Sequence, residues 1–175
     1  MLWLAEQGHS VVGLEMVQQA VETFFIENNL KFDCVNSGKH RKYSSQPFTI
    51  FQGDVFDLAV KKIQADAWYD RAALIAIDPS RREDYVNQIR QQTKQNAVGM
   101  LITFAYPQGQ MQGPPFALQD DDVKRLFSDG FELECLENIT LEDEKDRGLT
   151  QVTSSVFKIT RITSNEANDR TSEIS

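Results

Sequence analysis

Short apolar runs that each stop on an acidic residue, separated by stretches of helical period, set the tightest limit on how this chain can fold. The run His9-Ser10-Val11-Val12-Gly13-Leu14-Glu15 has the β-branched make-up of a strand buried on both faces of a parallel sheet. Directly after it, Val17, Ala20, Val21, Phe24 and Phe25 recur at steps of three and four, which predicts an amphipathic helix over residues 17–28. The same order returns downstream. Phe48-Thr49-Ile50-Phe51-Gln52 alternates like a strand and breaks at Gly53-Asp54, and Ala65-Asp66-Ala67-Trp68-Tyr69 is a further strand ending at Asp70-Arg71. Pro79 opens a helical segment to about residue 95 with Tyr85, Val86 and Ile89 on its inward stripe, and Val98 begins a central strand through Phe104.

The remaining segments fill in around this alternation. Leu2-Trp3-Leu4-Ala5-Glu6-Gln7 is helical and is closed by Gly8, so the chain reads as starting inside a helix. Residues 33–46 are polar and without a clean period, which predicts a solvated loop or a weak hairpin with His40 in solvent. Residues 107–115 form a glycine- and proline-rich loop, and residues 120–128 a short helix with an acidic first turn. Residues 131–137 and 150–159 alternate as a closing antiparallel pair. The sum is one α/β domain over residues 1–163, its sheet mainly parallel with an antiparallel C-terminal edge pair, followed by a polar tail over residues 164–175.

Composition narrows the function classes. A net charge of -8 is the wrong sign for a surface that neutralises phosphates, so nucleic acid is excluded as an expected partner. The longest apolar stretches fall well short of the roughly 20 residues of a membrane span, and the N-terminus lacks a secretory pattern, which together predict a cytoplasmic protein. Cys34 and Cys135 stand far apart, the pattern of reduced thiols, and the two histidines supply too little for a zinc site, so no metal is expected.

In an open α/β sheet small ligands bind beyond the carboxyl ends of the strands, which puts Glu15, Asp54, Asp70 and Arg71 along one rim. Glu15 is placed to accept from both hydroxyls of a ribose, against the bland alternative of an exposed strand-end acid. Asp54 is an acceptor for an adenine amino group or simply the maker of an Asx turn. Arg71 is a multi-donor fork for an anionic ligand, or one half of a local ion pair with Asp70. Phe116, behind Gly113-Pro114-Pro115, is held in a direction suited to stacking a flat ring or to filling a core. A dinucleotide-dependent oxidoreductase is the competing class, and the chain carries no Gly-x-Gly-x-x-Gly to support it.

Four ordered blocks, Leu2 through Glu15, Gly53-Asp54-Val55-Phe56-Asp57-Leu58, Tyr69-Asp70-Arg71-Ala72-Ala73-Leu74-Ile75-Ala76-Ile77 and Gly113-Pro114-Pro115-Phe116, resemble the thiopurine S-methyltransferase family. The resemblance implies a Rossmann-like class I methyltransferase sheet, S-adenosyl-L-methionine as cofactor, and a small thiol or thiopurine as acceptor, with selenium or tellurium compounds in some relatives. Residue by residue it implies Glu15 at the ribose, Asp54 and Val55 beside the adenine, and Arg71 between cofactor and acceptor. By the same match Phe116 contacts the acceptor; apart from the match, Asp70 is a weaker candidate base, its proton affinity lowered by the neighbouring arginine. The family's first strand and glycine-containing loop have no counterpart, so the sheet is expected to lack its first strand and to expose the flanking ones. The full-length protein is expected to be a monomeric enzyme, and the alternative is an inactive fragment or pseudo-enzyme serving as a binding module.

Overall fold

The structure is a computed structural model that describes residues 1–143 and 145–163; the proposed tail over residues 164–175 lies outside the described residues. The chain divides into two compact units, the first Met1–Ile63 and the second beginning at Gln64.

In the first unit, α1 (Leu2–Glu6) ends as expected at Gly8, whose φ of +87° admits the left-handed turn that a glycine tolerates without strain. Strand β1 (Val11–Glu15), helix α2 (Gln18–Glu27), strands β2 (Asp33–Ser37) and β3 (His40–Ser45), and strand β4 (Phe48–Gln52) follow. The sheet order is β1-β4-β3-β2, with β1 parallel to β4 and the other pairings antiparallel. The polar stretch after α2 is thus a full hairpin. One face of the sheet is covered by α2, and Val11, Val21, Phe25, Tyr43, Phe48 and Ile50 form the core between them. Because β1 stands at the end of the strand order and only one of its faces meets this core, its residues alternate. Val12 and Leu14 are 42% and 39% exposed, contrary to the expected burial of both faces.

The second unit runs β5 (Ala65–Asp70), α3 (Ala73–Ala76), a 3₁₀ turn (Pro79–Arg81), α4 (Arg82–Gln92), β6 (Thr93–Ile102), α5 (Asp120–Leu126), β7 (Phe131–Thr140) and β8 (Thr153–Arg161). Its sheet order is β5-β6-β8-β7, with β5 and β6 parallel and the last two strands antiparallel, as their alternation predicts. Asp78 starts the turn into α4 by accepting from the Ser80 N–H at 2.9 Å, with Pro79 in the first position where its missing donor costs nothing. On α4, Tyr85 and Val86 are buried as the stripe requires. Helix α5 has a capping box between Gln119 and Asp122 beneath its acidic first turn. The indole of Trp68 lies across β6 where Gly99 has no side chain: a Cβ there would sit 1.9 Å from the ring. The same indole stacks on Phe127 at 6.0 Å and 10°.

Candidate active site

The first grouping of candidate residues is built by parallel pairing. Glu15 ends β1 opposite Gln52 on β4, and the Gly53 N–H donates to the Glu15 carbonyl at 2.9 Å, carrying the ladder one step past both strands. Gln52 adds a second tie, its amide donating to the Met16 carbonyl at 2.8 Å. The half-buried Glu15 side chain accepts through Oε1 from the Val17 N–H at 2.8 Å, which fixes the carboxylate at the entrance of α2. Asp54 follows Gly53 and caps a 3₁₀ turn, Val55–Asp57, its Oδ1 accepting from the Phe56 N–H at 2.9 Å. The turn-making alternative for Asp54 is therefore real, and it engages Oδ1. Two carboxylates one strand apart, each held by a backbone donor, are acceptor groups of the type that a ribose diol and an adenine amino group require. This pair of acceptors fits the nucleoside part of an adenosyl cofactor.

The second grouping lies in the other unit. Asp70 ends β5, but its carboxylate turns inward: it is 5% exposed and accepts from the Ala73 N–H at 2.8 Å, the Leu74 N–H at 3.1 Å and the Tyr85 hydroxyl at 2.9 Å. Burial pushes its pKa above the ordinary 3.8, and these hydrogen bonds pull part of the way back. The expectation that Arg71 lowers its proton affinity is corrected here. Arg71 is exposed, whereas desolvation acts on the Asp70 carboxylate directly. Asp70 is a bridge between the start of α3 and α4, and burial has likewise raised the Tyr85 hydroxyl well above its ordinary 10.0, keeping it a donor. Arg71, next in sequence, is exposed.

Phe116 closes this grouping. Its N–H donates to the Ile75 carbonyl at 2.7 Å, which ties the proline loop to α3. Tyr106 donates its hydroxyl to the Pro115 carbonyl at 2.7 Å, and Arg82 reaches the Phe116 and Ala117 carbonyls at 3.4 and 3.1 Å. The Phe116 ring covers Gly113, where a Cβ would meet it at 2.4 Å. The sequence did not single out Arg82 or Tyr106. The available signal is an arginine three residues after a helix-opening proline, which in the sequence reads as an ordinary surface charge.

Residues 1–162 match the family model described as "Thiopurine S-methyltransferase (TPMT)". The chain belongs to the thiopurine S-methyltransferase family. Thiopurine S-methyltransferases of Shewanella pealeana and Shewanella piezotolerans are 40% and 38% identical over 166 and 169 residues, covering 92% of this chain and 76% of each relative. Among solved structures, a SAM-dependent methyltransferase from Methanosarcina mazei superposes with a TM-score of 0.66 at 16% identity, over 92% of this chain and 86% of that one. That likeness shows the fold, a methyltransferase α/β sheet. Membership in the family makes the protein an S-methyltransferase that uses S-adenosylmethionine. No described helix is long and apolar enough to cross a membrane, and no metal-binding cluster occurs among the described residues.

Proposed function

We propose that this family member transfers a methyl group to the sulfur of a small aromatic or heterocyclic thiol such as a thiopurine, with selenium or tellurium analogues as further acceptors. The observation that carries the cofactor half is the Gly53-to-Glu15 hydrogen bond, which sets the Glu15 and Asp54 carboxylates at adjacent strand ends. In this reading Glu15 accepts from the ribose hydroxyls, and Asp54 with Val55 holds the adenine. Bound S-adenosylmethionine supplies a methyl group carried on a positively charged sulfur.

The acceptor half rests on Arg71 and Phe116. An exposed guanidinium favours the anionic form of an approaching thiol, so that a thiol already partly ionised at neutral pH needs no strong protein base. Asp70 is unsuited to proton transfer because its carboxylate is engaged with three donors inside the fold. It serves instead to fix the turn from which Arg71 projects. Phe116, held by its own N–H and by the carbonyls on either side, offers a flat apolar surface for the acceptor ring. Catalysis of this kind consists chiefly of alignment.

The test is a methyl-transfer assay with a heterocyclic thiol beside its hydroxyl analogue, together with calorimetric titration of S-adenosylhomocysteine. Methylation of the thiol alone, with saturable product binding, is the expected result. Equal methylation of the hydroxyl analogue would overturn the sulfur specificity, and failure to bind S-adenosylhomocysteine would overturn the cofactor site.

A further inference from the structure

His40, the first residue of β3, is expected from its polar surroundings to sit in solvent, yet it is 4% exposed. The hairpin explains the difference. Pairing of β3 with β4 sets Arg41 opposite Gln52, so His40 falls beside the Gly53-Asp54 turn that follows β4. Its Nε2 lies 2.8 Å from the Asp54 carbonyl oxygen. A carbonyl only accepts, so Nε2 carries the proton and donates. The ring also rests on Gly53, where an added Cβ would lie 2.7 Å from His40 Cδ2. On its other side it meets the Phe51 ring edge-on, at 89° and 6.3 Å between centroids.

These contacts hold the turn at both of its residues. Gly53 has a φ of +148°, a conformation that side chains rarely adopt, and the histidine ring fills the space that its missing side chain leaves. The Asp54 carbonyl accepts from His40 and also from the Asp57 N–H at 3.1 Å, while the Asp54 carboxylate accepts from Phe56. Main chain and side chain of Asp54 are thus both fixed; from outside the turn, His40 holds the Asp54 carbonyl and Glu15 holds the Gly53 N–H. Lys39, the preceding residue, pairs with Asp57 at the far end of the same turn, but in the open, where such a pair contributes little.

We infer that His40 is a positioning residue for cofactor binding: its ring and its Nε2–H hold the Gly53-Asp54 turn in the conformation that presents Asp54 and Val55 to the cofactor's adenine. The inference rests on the reading of Glu15, Asp54 and Val55 as the nucleoside site. A turn ordered before binding costs less to order on binding, so the effect falls on cofactor affinity and not on the acceptor.

The test compares His40→Phe, which keeps a ring and loses the donor, with His40→Gln, which keeps a donor. Calorimetric titration of S-adenosylhomocysteine is expected to show a loss of about tenfold or more for His40→Phe, and a return to within about threefold of the parent for His40→Gln. In turnover, the KM for S-adenosylmethionine rises while the acceptor KM stays put. If His40→Phe does not fold, His40→Leu, which removes the ring edge, takes its place. A folded donor-less variant with parental affinity overturns the inference, as does a rise of both KM values together, which would mark a general structural role. Glu15→Ala separates the two layers. If it abolishes binding while His40→Phe does not, only the inference falls; if it too leaves binding intact, the site reading falls and the inference with it.

Discussion

The Asp70 carboxylate accepts the Tyr85 hydroxyl at 2.9 Å across fifteen residues of chain, joining the end of β5 to the middle of α4 beneath the turn that carries Arg71. Removing the hydroxyl leaves a buried carboxylate short of a donor. Tyr85→Phe is therefore expected to destabilise the protein by about 1–3 kcal/mol, read from urea denaturation, with a smaller fall in turnover.

The same carboxylate makes stability depend on pH in a definite direction. Its folded pKa is raised above the unfolded 3.8 by burial, so the folded state binds the extra proton. Its contribution is complete below the unfolded value and is lost as pH rises through the folded one. Asp70→Asn lacks this titration. Denaturation at a series of pH values from about 3 to 7 should show the parent losing ground to Asp70→Asn as pH increases. A gap that widens in the parent's favour would mean that hydrogen bonding to the charged form outweighs burial.

Glu15 offers a cleaner separation of binding from folding, since its carboxylate is half-buried and its one local duty is to cap the Val17 N–H. Glu15→Ala should cost about 0.5–1 kcal/mol of stability, the net worth of one exposed hydrogen bond. Its affinity for S-adenosylhomocysteine should fall by one to two orders of magnitude, the loss of charge-assisted hydrogen bonds of about 1.5–3 kcal/mol, measured by calorimetry.

Arg71 is exposed and should be nearly silent in stability, within about 0.5 kcal/mol on substitution. In catalysis it should speak clearly. On the role proposed for it, Arg71→Gln removes a charge that would favour the acceptor thiolate, so kcat/KM is expected to fall and the acidic limb of the pH–rate profile to move to higher pH. Arg71→Lys should restore the position of that limb more fully than the rate, because a point charge lacks the guanidinium fork.

Arg82 is buried and donates to the Phe116 and Ala117 carbonyls, while its Nε has no hydrogen-bond partner among the described residues. Arg82→Met keeps the stem and releases the proline loop. Steady-state kinetics should show a raised acceptor KM with an unchanged KM for S-adenosylmethionine, the reverse of the pattern expected at His40.

How much of this was legible in the sequence depends on how local each signal is. Glu15 and Asp54 stand out because strand period and the Gly-Asp break lie within a few residues of each other, and the closing antiparallel pair is just as visible in its alternation. The hairpin over residues 33–46 is only one of two readings the sequence allows, and the burial of His40 within it is hidden because β3 is polar in composition. It is held by pairing on both sides and by Tyr43, which packs on Phe32, and none of this registers as periodicity. Asp70 was misjudged for a related reason. Its sequence neighbour is Arg71, but its chemical neighbour is Tyr85, which only the packing of α4 brings to it.

The placement of Trp68 against Phe127, in the gap left by Gly99, has an optical consequence. The chain holds two tryptophans, and the other, Trp3, is 67% exposed in the first unit. Trp3 lies in water and Trp68 in an aromatic stack, so the emission is expected to contain a redder component from one unit and a bluer component from the other. Loss of the blue edge alone on heating or in denaturant would show the second unit opening, and quenching by iodide would silence the first before it touched the second. The protein carries its own two-colour reporter of which half gives way.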